Sequence, residues 1–130
     1  MQRIPVLYDL DCGVCRTLLA GLLAWDREGR LRPVGIQSPE GEELLAQMSE
    51  PERMDSWHMA GPTGIRSAGA AFPDLFDLLP GGTPLAVLTR RLPGPSERAY
   101  RLVAGNRSKL SKLVPGSVRQ RADGLIARRA

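Results

Sequence analysis

Apolar residues in the first third of the chain occur in short runs and in one helical pattern. The run Ile4–Tyr8 is almost wholly apolar, which is typical of a strand covered on both faces. The leucine-rich stretch Gly13–Trp25 is apolar around much of a helical circumference, so it predicts a helix buried against a sheet. Residues 31–36 predict a second strand. This order predicts a β-α-β unit with parallel strands and a right-handed crossover.

The remaining pattern predicts a β-hairpin and further helices. The third strand is predicted at residues 55–59, and a short strand at residues 65–67 pairs back with it through a turn at residues 61–64. Ser67 is the predicted cap of the following helix. The Pro-Gly-Pro sequence at residues 93–95 is predicted to interrupt the chain between two later helices. These helices are predicted at residues 42–48, 68–79, 83–92 and 96–104.

The length and the composition fit one α/β domain. The chain has 130 residues, of which 42% are hydrophobic, enough for a single core. No apolar run approaches the ~20 residues that a membrane-spanning helix requires, and the N-terminal residues lack the pattern of a signal peptide. We therefore expect a cytoplasmic protein without a transmembrane segment. Residues 114–130 are basic and broken by proline and glycine, so we expect a tail that frays into partial disorder.

The charge is distributed unevenly along the chain. Residues 1–89 hold 7 basic and 12 acidic side chains, a net charge of −5, whereas residues 90–130 hold 11 and 2, a net charge of +9. Such a split indicates either an acidic partner, an anionic surface or nucleic acid, or a solvated basic face that offsets the acidic half. We favour the solvated face. Nucleic acid is not expected, because base stacking needs aromatic residues among the basic ones and Tyr100 is the only one there.

Cys12 and Cys15 are the only cysteines, and they lie where the first helix is predicted to begin. The unpaired N–H groups and the positive dipole end of a helix N-terminus favour a thiolate, which is the reactive form of cysteine. Cys15 is one helical turn further on, on nearly the same face. Cys12 can therefore attack a disulfide, and Cys15 can resolve the mixed disulfide. Gly13 between them keeps the turn uncrowded.

Polar residues near the cysteines allow several interpretations. A carboxylate of Asp9 or Asp11 close to a thiolate disfavours it electrostatically, whereas a buried carboxyl group can accept the proton of the resolving thiol. The sequence does not choose between these roles. Gln37 and Ser38 either contact the cysteine turn or cap the next helix, and capping is the interpretation that the local sequence favours.

Two cysteines at this spacing also form half of many zinc sites. Zinc would need two further ligands, and Asp9, Asp11 and His58 could supply them only in an unusual combination. In the predicted third strand His58 faces away from Trp57 and Met59, which favours a structural role for it. A redox pair is therefore favoured over a zinc site and over two inert buried thiols.

The sequence around the cysteines resembles a known family. Residues 8–15, Tyr-Asp-Leu-Asp-Cys-Gly-Val-Cys, are similar to the signature of the DCC (DUF393) family of thiol-disulfide oxidoreductases, whose Asp and two Cys match Asp9, Cys12 and Cys15. Residues 26–31, 37–41 and 100–107 resemble further family stretches in the same order. The resemblance covers about residues 4–113. It implies a thioredoxin-like fold in residues 1–113, to which residues 114–130 add a helical basic extension.

The resemblance implies a small dithiol-disulfide oxidoreductase. Cys12 is the expected nucleophile, Cys15 the resolving thiol, and Asp9 the residue that orients or deprotonates. The supporting or substrate-binding candidates are Tyr8, Asp11, Gly13, Gln37 and Ser38. No metal and no organic cofactor is expected, since the cysteine pair is itself the redox centre, and the expected partner is a thiol or disulfide, either protein or small molecule. The alternative is a non-catalytic module that senses redox state and docks an acidic partner through its basic region.

Overall fold

A computed structural model of the chain describes residues 3–61 and 64–129. It contains four strands, eight α-helices and one short 3-10 helix within these residues. The strands are β1 (Ile4–Tyr8), β2 (Leu31–Gly35), β3 (His58–Gly61) and β4 (Gly64–Ser67). The helices are α1 (Gly13–Trp25), α2 (Pro39–Leu44), α3 (Glu50–Asp55), α4 (Phe72–Leu78), α5 (Thr83–Arg91), α6 (Pro93–Gly105), α7 (Arg107–Leu113) and α8 (Gly116–Arg129), with the 3-10 helix at Ala68–Ala71.

The strands form one mixed sheet in the order β2-β1-β3-β4. β1 and β2 are parallel, with Ile4 opposite Leu31, and α1 makes the crossover between them. β3 is antiparallel to β1 and to β4, with Leu7 opposite His58 on one side. The predicted α/β architecture, a β-α-β unit plus a hairpin and helices, is confirmed, and it is that of a thioredoxin-like fold.

The strict alternation of β1 divides the core into two layers. Val6 and Tyr8 point to one side of the sheet, where α1, α4 and α8 cover them. Leu7 points to the other side and packs with Val34 and Leu45. The first layer is the larger one, and it includes α1, at whose N-terminal end the cysteines lie.

The end of α1 is tied to distant parts of the chain by Asp26, which is fully buried. Its carboxylate accepts hydrogen bonds from the backbone N–H groups of Arg30 (3.0 Å) and Leu31 (2.8 Å), at the start of β2. Arg129 donates to the same carboxylate at 3.0 Å, and also to the carbonyl oxygens of Leu23 (2.9 Å) and Asp26 (2.6 Å). One carboxylate therefore connects α1, β2 and the last turn of α8.

The C-terminal residues form the predicted helical extension. Residues 116–129 are the regular helix α8, and where fraying was expected the helix packs along α1. Ala122 and Ile126 are buried against the domain, and the Arg129 bonds hold the end of the helix. The division of the chain at residue 113 stays a prediction.

Several element boundaries also differ from those predicted. The third strand is His58–Gly61 rather than residues 55–59, because Glu50–Asp55 forms α3, which begins with Ser49 as its cap. The second helix begins at Pro39 instead of residue 42. The Pro-Gly-Pro sequence forms the first turn of α6 rather than an interruption, since proline fits the first turn of a helix. The predicted turn at residues 61–64 includes Pro62 and Thr63, which lie outside the described residues.

His58 is 1% exposed and has a structural setting. Its Nδ1 lies 2.6 Å from the hydroxyl of Ser67, and its Nε2 lies 2.9 Å from the carbonyl oxygen of Arg53. The Ser67 side chain therefore bonds the histidine and does not cap the following helix, contrary to the prediction. Burial lowers the pKa of His58, because the charged imidazolium loses its hydration inside the protein.

The Asp26 network predicts a large and unequal effect of two substitutions. Asp26→Ala should lower the free energy of unfolding by about 3–5 kcal/mol, because it leaves the Arg129 charge and two backbone donors without their acceptor. Arg129→Ala should cost less, since Asp26 keeps its two backbone partners. Urea unfolding measures both, with the exposed Glu28→Ala as the matched control. Equal losses for the control and for Asp26→Ala would contradict the role of the network.

The lowered pKa of His58 predicts a pH dependence of stability. As the pH falls through about 6.5, the unfolded chain binds a proton that the folded chain does not, so the free energy of unfolding should fall. The loss should end once the pH is below the folded-state pKa. Urea unfolding at several pH values between 5 and 8 measures this slope, and His58→Gln should flatten it, because His58 is the only histidine. An identical slope in His58→Gln would assign the effect to other groups.

Candidate active site

The turn before α1 places Cys12 at the N-cap of the helix. Its backbone is extended (φ −98°, ψ 111°), and its Sγ accepts a hydrogen bond from the backbone N–H of Cys15 at 3.3 Å. The N–H of Cys12 in turn donates to the carbonyl oxygen of Asp9 at 3.3 Å. The sulfur occupies the position that a serine or aspartate oxygen takes in most helix caps, so a negative charge on it is favoured by a backbone donor and by the helix dipole.

The two thiols are both free, and they have different surroundings. Cys12 is 8% exposed, whereas Cys15 is half-buried. Burial, together with a hydrogen bond and the charge of the neighbouring Cys12 side chain, raises the pKa of Cys15 to about 12. Arg107 acts in the opposite direction and Asp9 in the same one. Cys15 is therefore a neutral thiol at physiological pH.

The backbone turn that leads to Cys12 is held by Asp9 and Gln37. Asp9 Oδ1 accepts from the backbone N–H of Asp11 at 2.9 Å and from Gln37 Nε2 at 2.7 Å. Gln37 Oε1 accepts from the backbone N–H of Leu10 at 3.1 Å. Gln37 thus contacts the cysteine turn, the less favoured of its two predicted positions. Ser38 takes the other position, since its hydroxyl caps α2 by accepting from the N–H of Gly41 at 3.1 Å.

The remaining predicted residues lie around this turn. Tyr8 ends β1 in the buried core, and burial raises the pKa of its hydroxyl. The Asp11 side chain is exposed, and this residue takes part in the turn through its backbone. A Cβ atom at Gly13 would meet the Ser111 and Arg119 side chains at 3.6 Å, an ordinary contact.

Ser111 of α7 covers the cysteine turn, and the sequence analysis missed it. Its hydroxyl accepts from the backbone N–H of Val14 at 3.1 Å and lies 4.0 Å from Cys12 Sγ. Arg119 of α8 donates to the Ser111 carbonyl oxygen and so joins the two C-terminal helices over the turn. No local pattern could indicate this contact, because Ser111 follows Cys12 by 99 positions.

The other side of the pair opens on an apolar cavity of about 360 Å³. Cys15 and Tyr8 lie in its wall, next to the apolar faces of α1, α4 and α6. The rings of Trp57 and Phe72 stack in it, with centroids 5.9 Å apart, and Tyr100 meets Phe72 edge-on at 6.1 Å. The two cysteines thus face different surroundings, with Ser111 beside Cys12 and an apolar space beside Cys15.

Arg16, which follows Cys15 in the sequence, and His58 both have partners other than the thiols. Arg16 donates to the carbonyl oxygen of Leu10 at 3.2 Å and pairs with Asp123 at 3.4 Å. His58 binds Ser67 and Arg53 instead of a cysteine. Within residues 3–61 and 64–129, no three His, Cys, Asp or Glu side chains are grouped so that they could hold a metal ion.

Comparison with known proteins agrees with the geometry of the cysteine turn. A family model described as DCC1-like thiol-disulfide oxidoreductase matches residues 6–113. The chain belongs to this family. The matched region runs from β1 to the end of α7, so it includes both cysteines, Gln37 and Ser111, whereas α8 lies beyond it. No curated protein and no solved structure matches the chain. Among the described residues, no helix combines the length and the apolar character needed to cross a membrane.

The contacts of Cys15 predict a measurable change in its titration. Cys12→Ala should lower the pKa of Cys15 from about 12, because it removes the hydrogen bond and the charge of the Cys12 side chain. Burial remains, so the pKa should stay above the ordinary value of 9.0. The ultraviolet absorbance of the thiolate, followed against pH, measures this change, and Cys15→Ala identifies the contribution of Cys12. A pKa of Cys15 that does not move would contradict an interaction between the two thiols.

Proposed function

We propose that the chain exchanges dithiol for disulfide, with Cys12 as the nucleophile and Cys15 as the resolving thiol. The observation that supports this assignment best is the hydrogen bond from the Cys15 N–H to Cys12 Sγ at the N-cap of α1. A backbone donor at that position stabilises the Cys12 thiolate that attacks the substrate. The raised pKa of Cys15 fits the second role, because a resolving thiol stays protonated until the mixed disulfide has formed.

In the reductive direction, the Cys12 thiolate attacks one sulfur of the substrate disulfide. The substrate S–S bond breaks, a new S–S bond to Cys12 forms, and the departing thiolate takes up a proton. Cys15 then loses its proton and attacks the Cys12 sulfur, so that the second substrate sulfur leaves and is protonated. Two electrons pass to the substrate, and the protein ends with a Cys12–Cys15 disulfide. A dithiol reductant must return the pair to its starting state.

The proposal gives Asp9 two roles. Its carboxylate positions the turn through the Asp11 N–H and Gln37, so it orients Cys12. It also lines the cavity beside Cys15 and acts on the pKa of that thiol. We assign to it the proton that Cys15 releases during resolution, since its carboxylate lines the same cavity as that thiol.

The substrate class, the compartment and the cofactor requirement are further parts of the proposal. We assign thiols or disulfides as substrates, since the family name of the chain implies them. We place the protein in the cytoplasm, where free thiols persist. The cysteine pair supplies the redox chemistry by itself, without a metal or an organic cofactor.

A second candidate function is supported by the covered position of Cys12. Because Cys12 is only 8% exposed and lies beside Ser111, α7 limits access of a bulky substrate to its sulfur. A redox-sensing module would use this contact differently. Formation of the disulfide would move Cys12 away from Ser111 and change the surface that α7 and α8 present to a partner.

The redox equilibrium of the pair tests what the two functions share, and turnover then separates them. Reduced protein is placed in glutathione buffers of graded potential, and the thiols are counted by alkylation and mass. We expect one reversible two-thiol transition, and we expect Cys15→Ser to accumulate a glutathione mixed disulfide at Cys12, because the resolving thiol is missing. Cys12→Ser should accumulate far less at Cys15, since that thiol is neutral.

Turnover of a disulfide substrate completes the experiment. A reversible pair with turnover supports the oxidoreductase, and a reversible pair without turnover supports the sensor. Two thiols that never pair in any buffer would contradict both candidates. The two serine variants are matched controls for each other, because each removes one sulfur at the same turn.

A further inference from the structure

The cavity beside Cys15 has the character of a ligand site. Its volume of about 360 Å³ is within the range of small-molecule pockets, about 300–1,000 Å³. Its wall is mostly aliphatic and aromatic, as such pockets are. Leu18 and Val103 lie at its edge and are 55% and 38% exposed, so the cavity is reached from solvent between α1 and α6.

Most polar groups of the wall already have partners in the protein. The Tyr100 hydroxyl accepts from the backbone N–H of Trp57 at 3.1 Å, and the Ser56 hydroxyl donates to the Trp57 carbonyl oxygen at 3.1 Å. Asp9 accepts from Asp11 and from Gln37. Arg107 differs from these groups, since this half-buried residue has no side-chain hydrogen bond or ion pair with any residue in the described ranges.

We infer that the cavity binds a small organic anion with an apolar body. The body lies against the rings of Trp57, Phe72 and Tyr100, and the anionic group pairs with Arg107 at the wall. An uncharged apolar molecule would leave the Arg107 charge unmatched, and a cation would meet the same charge repulsively. The net charge of +9 in residues 90–130, which include α6 and α7, favours the same sign of ligand.

The position of Cys15 gives this site a consequence. Because Cys15 is part of the wall, an occupant contacts one member of the cysteine pair directly. An occupant that binds the dithiol and the disulfide with different affinities shifts the redox equilibrium of the pair, and oxidation shifts its binding by the same factor. The site itself does not depend on the proposed exchange reaction, since its geometry involves only the reduced protein.

Two fluorescent probes test the site, both measured on the reduced full chain. The first is 8-anilinonaphthalene-1-sulfonate, which joins an aromatic body to a sulfonate. The second is N-phenyl-1-naphthylamine, which has the same body without the charge. We expect saturable binding of the sulfonate at one site per chain, weakened about tenfold or more by Arg107→Gln, the factor that a charged hydrogen bond commonly supplies. The uncharged probe should bind alike with and without Arg107.

Variants of α6 test the location. Ala104→Trp, which places a large side chain in the cavity wall, should abolish binding of both probes. Leu102→Trp on the same helix is the matched control, because Leu102 is 70% exposed and does not line the cavity. Both variants must unfold cooperatively in urea as the natural chain does, since the sulfonate probe also binds loosely packed proteins.

Each outcome decides the inference. Equal affinity of the sulfonate for Arg107→Gln and the natural chain would overturn the assignment of an anion. Unchanged binding in a folded Ala104→Trp, or no saturable binding to the natural chain, would overturn the site. Repeating the titration with Cys12→Ser separates this site from the proposed exchange, because binding should persist there although exchange is lost.

Discussion

The ion pair between the buried Asp26 and Arg129 connects the end of α1 to the end of α8. It holds α8 along α1, the helix that begins at the cysteine turn. A carboxylate just after the last turn of a helix is unfavourable by itself, because the free carbonyl groups there carry partial negative charge. Arg129 offsets this repulsion, since its guanidinium binds both the Asp26 carboxylate and the carbonyl oxygens of Leu23 and Asp26. The same contact fixes the end of α8 against the end of α1. Because α8 then runs along α1, with Asp123 near Arg16, its first turn brings Arg119 to Ser111 and α7 to the cysteines.

The two ends of α1 therefore have opposite requirements that the C-terminal helices satisfy together. At the beginning, free N–H groups favour a sulfur or a hydroxyl that accepts, and Cys12 and Ser111 supply these acceptors to Cys15 and Val14. At the end, free carbonyl groups favour a cation, and Arg129 supplies it. Thus α7 contributes Ser111 at one end of α1 and α8 contributes Arg129 at the other, while the apolar Ile126 of α8 lies in the core. The consequence for chemistry is a thiol pair that differs on its two sides, polar beside Cys12 and apolar beside Cys15.

The sequence was informative wherever one segment determines its own structure. The bounds of β1 and α1 follow from uninterrupted apolar patterns, and the position of Cys12 at the helix start follows from them. It failed where contacts between distant residues decide the outcome. A helical extension was predicted for the C-terminal residues, but not its docking along α1, because its contact with Asp26 joins residues 103 positions apart. Ser111 and the cavity wall depend in the same way on how α6 and α7 pack against α1, which no local spacing indicates.

The uneven charge of the chain has a clearer meaning in the folded protein. Arg90 pairs with Asp77, and Arg101 pairs with Asp55, so basic residues of the second part meet acidic residues of the first. These pairs are exposed, and each contributes little to stability, since water screens both charges. The interpretation of the basic residues as a solvated face stays a prediction. The Asp26–Arg129 pair contributes differently, because Asp26 is fully buried and removal of either group leaves the other charge without its partner. This pair therefore fixes the end of the C-terminal half at one point.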